Sequence, residues 1–115
     1  MSIRRIESGA RMSQAVVAGG FVFLAGQVAS DTQADVTGQT RQVLAEIDRL
    51  LREAGSDKRR IVSANVYLAD IKTFADMNRA WDEWVASDAK PARATIEAQL
   101  AAPEYRVELQ VLALA

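Results

Sequence analysis

Two stretches of this chain repeat their apolar residues at three-and-four spacing, while the remaining apolar residues fall in short strand-like segments. That split dictates an α+β fold. From Asp35 to Ala54, the residues Val43, Leu44, Ile47, Leu50, Leu51 and Ala54 trace one helical face, and Gly55 is placed to cap its end. A second helix opens at Thr73-x-x-Asp76, the spacing of a capping box, and carries Phe74, Met77, Trp81, Trp84 and Val85 as its stripe. Gln14 to Ala18 and Phe21 to Ala25 read as strands around a Gly19-Gly20 turn. Ile61 to Leu68 alternates as a strand, Lys90-Pro91 imposes extended chain, and Ala92 to Leu100 and Arg106 to Ala115 complete the set. The order ββ-α-β-α-ββ predicts a mixed, mostly antiparallel sheet with two helices on one face.

The chain has 115 residues and no linker or repeat, so one domain spanning residues 1–115 is expected. With no Cys and no His, thiol nucleophiles, thiolate metal sites, the Ser-His-Asp arrangement and the usual zinc ligands are all excluded. A net charge of −1 gives no field to attract nucleic acid, and Lys58-Arg59-Arg60 reads as a solvated loop. Met1 to Glu7 lacks the apolar core of a secretory signal, and Ala15 to Gly26 is glycine-interrupted and too short for a membrane span. A cytoplasmic protein without membrane or nucleic-acid partners is the expectation.

Chemistry must then come from groups such as Arg93 and Glu108, fifteen residues apart in strand-like segments. A guanidinium can grip a carboxylate through two parallel hydrogen bonds. A carboxylate can hold or deprotonate a water. The structural alternatives are an ion pair of Arg93 with Glu97 or Glu108, and an edge or interface charge for Glu108. Read as a hairpin, the last two strands put Ala92, Ala94, Ile96, Ala98 and Leu100 with Val107, Leu109, Val111 and Ala113 toward the helices. Arg93, Thr95, Glu97 and Gln99, with Glu108, Gln110, Leu112 and Leu114, then occupy the uncovered face. Leu112, Leu114 and half of Phe21-Val22-Phe23-Leu24 make that face a candidate subunit interface. In that register Arg93 and Glu108 are offset by about four residues, roughly 13 Å. A pocket between subunits would bring them together better than a single chain. Asn78 falls on the apolar stripe of the second helix, where an amide bonded to nearby backbone is the alternative to a pocket role, and Trp81 and Trp84 read as core.

These residues, in order, resemble the Rid family of reactive intermediate deaminases (the YjgF family). The resemblance covers essentially the whole chain. It rests on Ala25-Gly26-Gln27-Val28, Phe74-x-x-Met77-Asn78-x-x-Trp81, Pro91-Ala92-Arg93 and Val107-Glu108-Leu109. The run from Leu68 to Val85 is similar to the YoaB-like branch. The resemblance implies a chorismate-mutase-like fold and a homotrimer with sites in the clefts between subunits. It implies hydrolysis of imines and enamines such as 2-aminoacrylate to 2-keto acid and ammonia, with no metal and no bound cofactor.

By the same resemblance, Arg93 would bind the substrate carboxylate and Glu108 position the water, with Asn78 and Gly26 lining the pocket. Four positions depart from the family pattern. Its pocket tyrosine falls at Met12, the serine before the glycine at Ala25, the cysteine after the arginine at Thr95, and a small or basic residue at Gln99. Thr95 would then contribute mainly its backbone. A non-catalytic trimer binding small carboxylates in the same cleft is the alternative. A ribonuclease role finds little support in a nearly neutral chain without His.

Overall fold

The computed structural model describes residues 2–115. Six strands share one sheet: β1 (Ile3–Ser8), β2 (Ser13–Ala18), β3 (Phe21–Leu24), β4 (Ile61–Leu68), β5 (Ala92–Glu97) and β6 (Val107–Leu114). Helix α1 (Val36–Glu53) lies between β3 and β4 in sequence, and helix α2 (Phe74–Trp84) between β4 and β5. Across the sheet the order is β1-β2-β3-β6-β4-β5, antiparallel at every junction except the parallel β4–β5. This is an α+β architecture: a mixed, mostly antiparallel sheet with both helices over one face.

Local chemistry explains the elements. Asp35 caps α1, its Oδ1 accepting from Gly38 N at 2.8 Å. The helix ends where Gly55 turns to φ 82°, with Gly55 N donating to Arg52 O and Ser56 N to Leu51 O. That double bond satisfies two orphan carbonyls. Gly19 and Gly20, at φ 59° and 84°, close the β2–β3 hairpin in the twist that antiparallel strands favour. The core joins Val43, Leu44, Ile47, Leu50 and Leu51 of α1 and Met77 of α2 to Val22, Leu24, Val66, Leu68, Val107 and Leu109 of the sheet. Each such side chain contributes about 1.5–3 kcal/mol by leaving water.

Three expectations need correction. The Ile3–Ser8 segment forms edge strand β1, which shows no alternation because Ile6 alone is buried. Thr73 precedes α2 without a side-chain cap; its hydroxyl donates instead to Asp70 O at 2.6 Å. The last two strands are not a hairpin. β6 slots between β3 and β4, whereas β5 pairs on the far side of β4. The β4–α2–β5 crossover runs the two strands parallel, as a helical connection requires.

That pairing inverts the expected faces of β5. Arg93 is level with Ala64, Thr95 with Val66 and Glu97 with Leu68, all three partners being buried under the helices. Residues opposite one another across a ladder share a face. Arg93, Thr95 and Glu97 therefore stand on the helix side, and Ala92, Ala94 and Ile96 on the open side. As the edge strand, β5 lies at the margin of the helical layer, so its inward face stays partly wet and takes polar residues. β6 keeps its expected faces, with Val107, Leu109, Val111 and Ala113 buried and Glu108 outward.

Candidate active site

Helix α2 presents Phe74, Asn78 and Trp81 at successive turns of one face, beside the β5 edge. The Arg93 guanidinium lies over the Trp81 ring at 4.9 Å and the Phe74 ring at 5.7 Å. Its Nη1 donates to Asn78 Oδ1 at 2.7 Å. Each ring contact contributes about 0.5–2 kcal/mol and orients the planar group. Among the described residues no carboxylate comes within 4.0 Å of Arg93. The ion pair with Glu97 or Glu108 is absent; Glu97 Oε1 instead accepts from Ile71 N at 3.0 Å. Burial lowers the Arg93 pKa and the nearby Asp82 charge opposes the shift, leaving the guanidinium protonated. A charged, oriented fork with free donors remains.

Two residues along the same face is Thr95, whose Oγ1 is buried without a hydrogen-bond partner.

Glu108 belongs to a second cluster on the open face. It is half-buried and sits level with Tyr67 of β4. Gln27 N donates to Leu109 O at 2.8 Å and Leu109 N to Gln27 O at 3.1 Å, which clips the segment after β3 against β6. Gly26 is thereby pressed to Glu108 so closely that a Cβ at position 26 would collide with Oε2. A shallow cavity of about 280 Å³ lies here, lined by Gly26, Tyr67, Glu108, Gln110 and the 98–101 loop. Among the described residues no three acidic side chains gather as a metal site would need.

Arg93 and Glu108 thus occupy opposite faces of the sheet, correcting the expectation that both project from the uncovered side. Arg93 is level with Ala64 and Glu108 with Tyr67, three residues or roughly 10 Å apart along β4, and on either flank of that strand. No small substrate spans both within one chain. The fold gathers Asn78 and Thr95 on the Arg93 side and Gly26 beside Glu108. Met12 joins neither cluster: it is 50% exposed in the β1–β2 loop, far across the sheet from β5. Phe74 and Tyr67 are site neighbours that the sequence reading left out. Phe74 was detectable from its four-residue spacing to Asn78, whereas Tyr67 looks like any outward strand residue.

The family profile described as Endoribonuclease L-PSP matches residues 2–115. A RutC family protein of Haemophilus ducreyi is 47% identical over 111 residues, covering 96% of this chain and 95% of that one. The chain belongs to the YjgF/Rid family. The RutC family protein YoaB of Escherichia coli is 41% identical across 98% of both chains. A solved YjgF-family structure from Neisseria meningitidis superposes with a TM-score of 0.96 at 46% identity, covering 99% of this chain and 95% of that one. The YjgF/Rid fold therefore extends over every element that carries Arg93, Asn78, Gly26 and Glu108.

Proposed function

We propose that this protein hydrolyses small 2-imino acids and their enamine tautomers, of which 2-aminoacrylate is the type, to a 2-keto acid and ammonia. The sites would lie in clefts of a homotrimer, each joining the Arg93 side of one subunit to the Glu108 side of another. The observation that carries this reading is the unpaired Arg93 guanidinium, held flat by two rings and Asn78 and lacking any carboxylate of its own. Charge left uncompensated in a partly buried place is costly, and an anionic substrate removes the cost.

Arg93 grips the substrate carboxylate and orients the neighbouring imine carbon. Glu108 accepts a proton from a water beside Gly26 as the water oxygen bonds to that carbon. The proton then passes to nitrogen, giving a carbinolamine. Glu108 next carries the remaining hydroxyl proton to that nitrogen as the C–N bond breaks, its electrons leave with ammonia, and the C=O bond forms. An imine carbon is already electrophilic, so held water and a proton shuttle suffice without a metal or bound cofactor. A cytoplasmic setting, alongside enzymes that release such imines, belongs to this reading; among the described residues no helix is long and apolar enough to cross a membrane.

The test is release of ammonia and keto acid from freshly generated 2-aminoacrylate or longer imines. Arg93→Ala is expected to lower kcat/KM roughly 100-fold, the loss of two charge-assisted hydrogen bonds. Parent-level activity in that variant removes the proposed clamp. A binding role without turnover is favoured by the family resemblance, which sets the apolar Met12 and Ala25 where its pattern has a tyrosine and a serine. Calorimetric binding of 2-keto acids by a preparation that hydrolyses no imine would select it.

A further inference from the structure

We infer that the Thr95 hydroxyl hydrogen-bonds the substrate and sets affinity beside the Arg93 clamp, a role separate from any played by the Thr95 backbone. The inference rests on the reading of the Arg93 side as a carboxylate site.

A hydroxyl can donate one hydrogen bond and accept two. Thr95 Oγ1 makes none, although its oxygen is sealed from water. Leaving such a group unmet costs on the order of 1–3 kcal/mol, and native proteins rarely tolerate it without a reason. No side chain of the fold reaches it: across the ladder Thr95 is level with the apolar Val66, while Asn78 Oδ1 turns to Arg93 and Glu97 Oε1 to Ile71 N. Thr95 itself is only half-buried. Rotation about its Cα–Cβ bond exchanges methyl for hydroxyl between staggered wells, and a hydrogen bond gained outside would offset the cost of turning the hydroxyl outward.

That partner would sit within reach of Arg93, on the same face and two residues away, about 7 Å along the strand. A 2-keto or 2-imino acid gripped by the guanidinium spans this gap with its carboxylate oxygen or its 2-substituent. The hydroxyl would donate to that oxygen in a keto acid, and accept from the N–H in an imine. Thr95 would therefore favour ligands that carry a polar atom at the 2-position over those with carbon there.

The experiment compares the parent with Thr95→Val, which keeps the shape and deletes the hydroxyl, and Thr95→Ser, which keeps the hydroxyl. Kd for a 2-keto acid and for its 2-methylene analogue is measured by calorimetry, and Tm is measured without ligand. The expected result is a roughly ten-fold weaker Kd for the keto acid in Thr95→Val, about one hydrogen bond. The methylene analogue should bind unchanged, Thr95→Ser should hold near-parent affinity, and Tm of Thr95→Val should equal or exceed the parent. Equal keto-acid affinity in Thr95→Val overturns the inference. So does a lower Tm with loss of subunit association, which would mean that a neighbouring subunit satisfies the hydroxyl. A parent that binds no 2-keto acid, while Thr95→Val still raises Tm, overturns the functional reading itself and this inference with it.

Discussion

At the scale of single residues the decisive arrangement is Arg93 against Asn78. An amide oxygen at 2.7 Å steers the guanidinium without neutralising it. A carboxylate there would make a permanent ion pair in a partly desolvated place. Asn78→Asp is therefore expected to bind 2-keto acids at least ten-fold more weakly than the parent, with Tm unchanged or higher. Calorimetry and thermal melting check the two halves. Gly26 offers a second probe. The atoms nearest a Cβ at that position all belong to the flexible Glu108 side chain, its carboxylate first, so Gly26→Ala should displace the carboxylate at little cost to folding. The expected outcome is a kcat at least ten-fold down with Tm within a few degrees of the parent, read by ammonia release and melting. A wholly structural Gly26 would show the reverse pattern.

At the scale of elements, exposed ion pairs tie the layers at their edges. Arg49 binds Glu7 of β1 and Glu46 of its own helix, Arg41 of α1 binds Glu83 of α2, and Arg59 binds Asp88. The hydrogen bonds from these arginines hold Glu7, Glu83 and Asp88 below the usual carboxylate pKa. A carboxyl depressed in the fold stabilises it above the unfolded value and loses that contribution as pH falls through the folded one. Tm should accordingly decline on the acid side of the usual carboxylate range. The decline should be shallower in Glu7→Gln and in high salt, as a pH series of melts would show.

Much of this element layer was legible in the sequence. The α1 stripe with Gly55, the Gly19-Gly20 hairpin, and the alternation of β6 and of β4 from Ala64 onward were readable; a register shift between Ile61 and Ser63 leaves Val62 exposed, against the alternation. β1 was not, because a strand paired on one edge and buried at a single residue leaves no periodic trace. The side to which Arg93 points was not readable either. Alternation reports two faces, and in β5 the apolar set is largely alanine, too small to say which one is buried. Arg93, Asn78, Gly26 and Glu108 were singled out through the family resemblance; their distribution over two faces depended on a parallel pairing that spacing does not encode.

At the scale of the whole molecule, the side of the sheet away from the helices carries Phe21 and Phe23, half-exposed and 6.2 Å apart, with Leu112 and Leu114 directly across the ladder. An apolar patch of this kind on the face that also bears Glu108 suits association with further copies of the chain. In the proposed trimer, the pleat that sends Arg93 and Glu108 to opposite sides has a genetic consequence. Each polypeptide would donate a grip to one catalytic centre and a proton shuttle to another. Arg93→Ala and Glu108→Gln, each strongly impaired alone, should rescue each other when unfolded together and refolded as mixed rings. About a quarter of the centres in an equal mixture would regain both intact partners, and turnover should return to that level. If each centre drew both groups from one polypeptide, co-refolding would restore nothing.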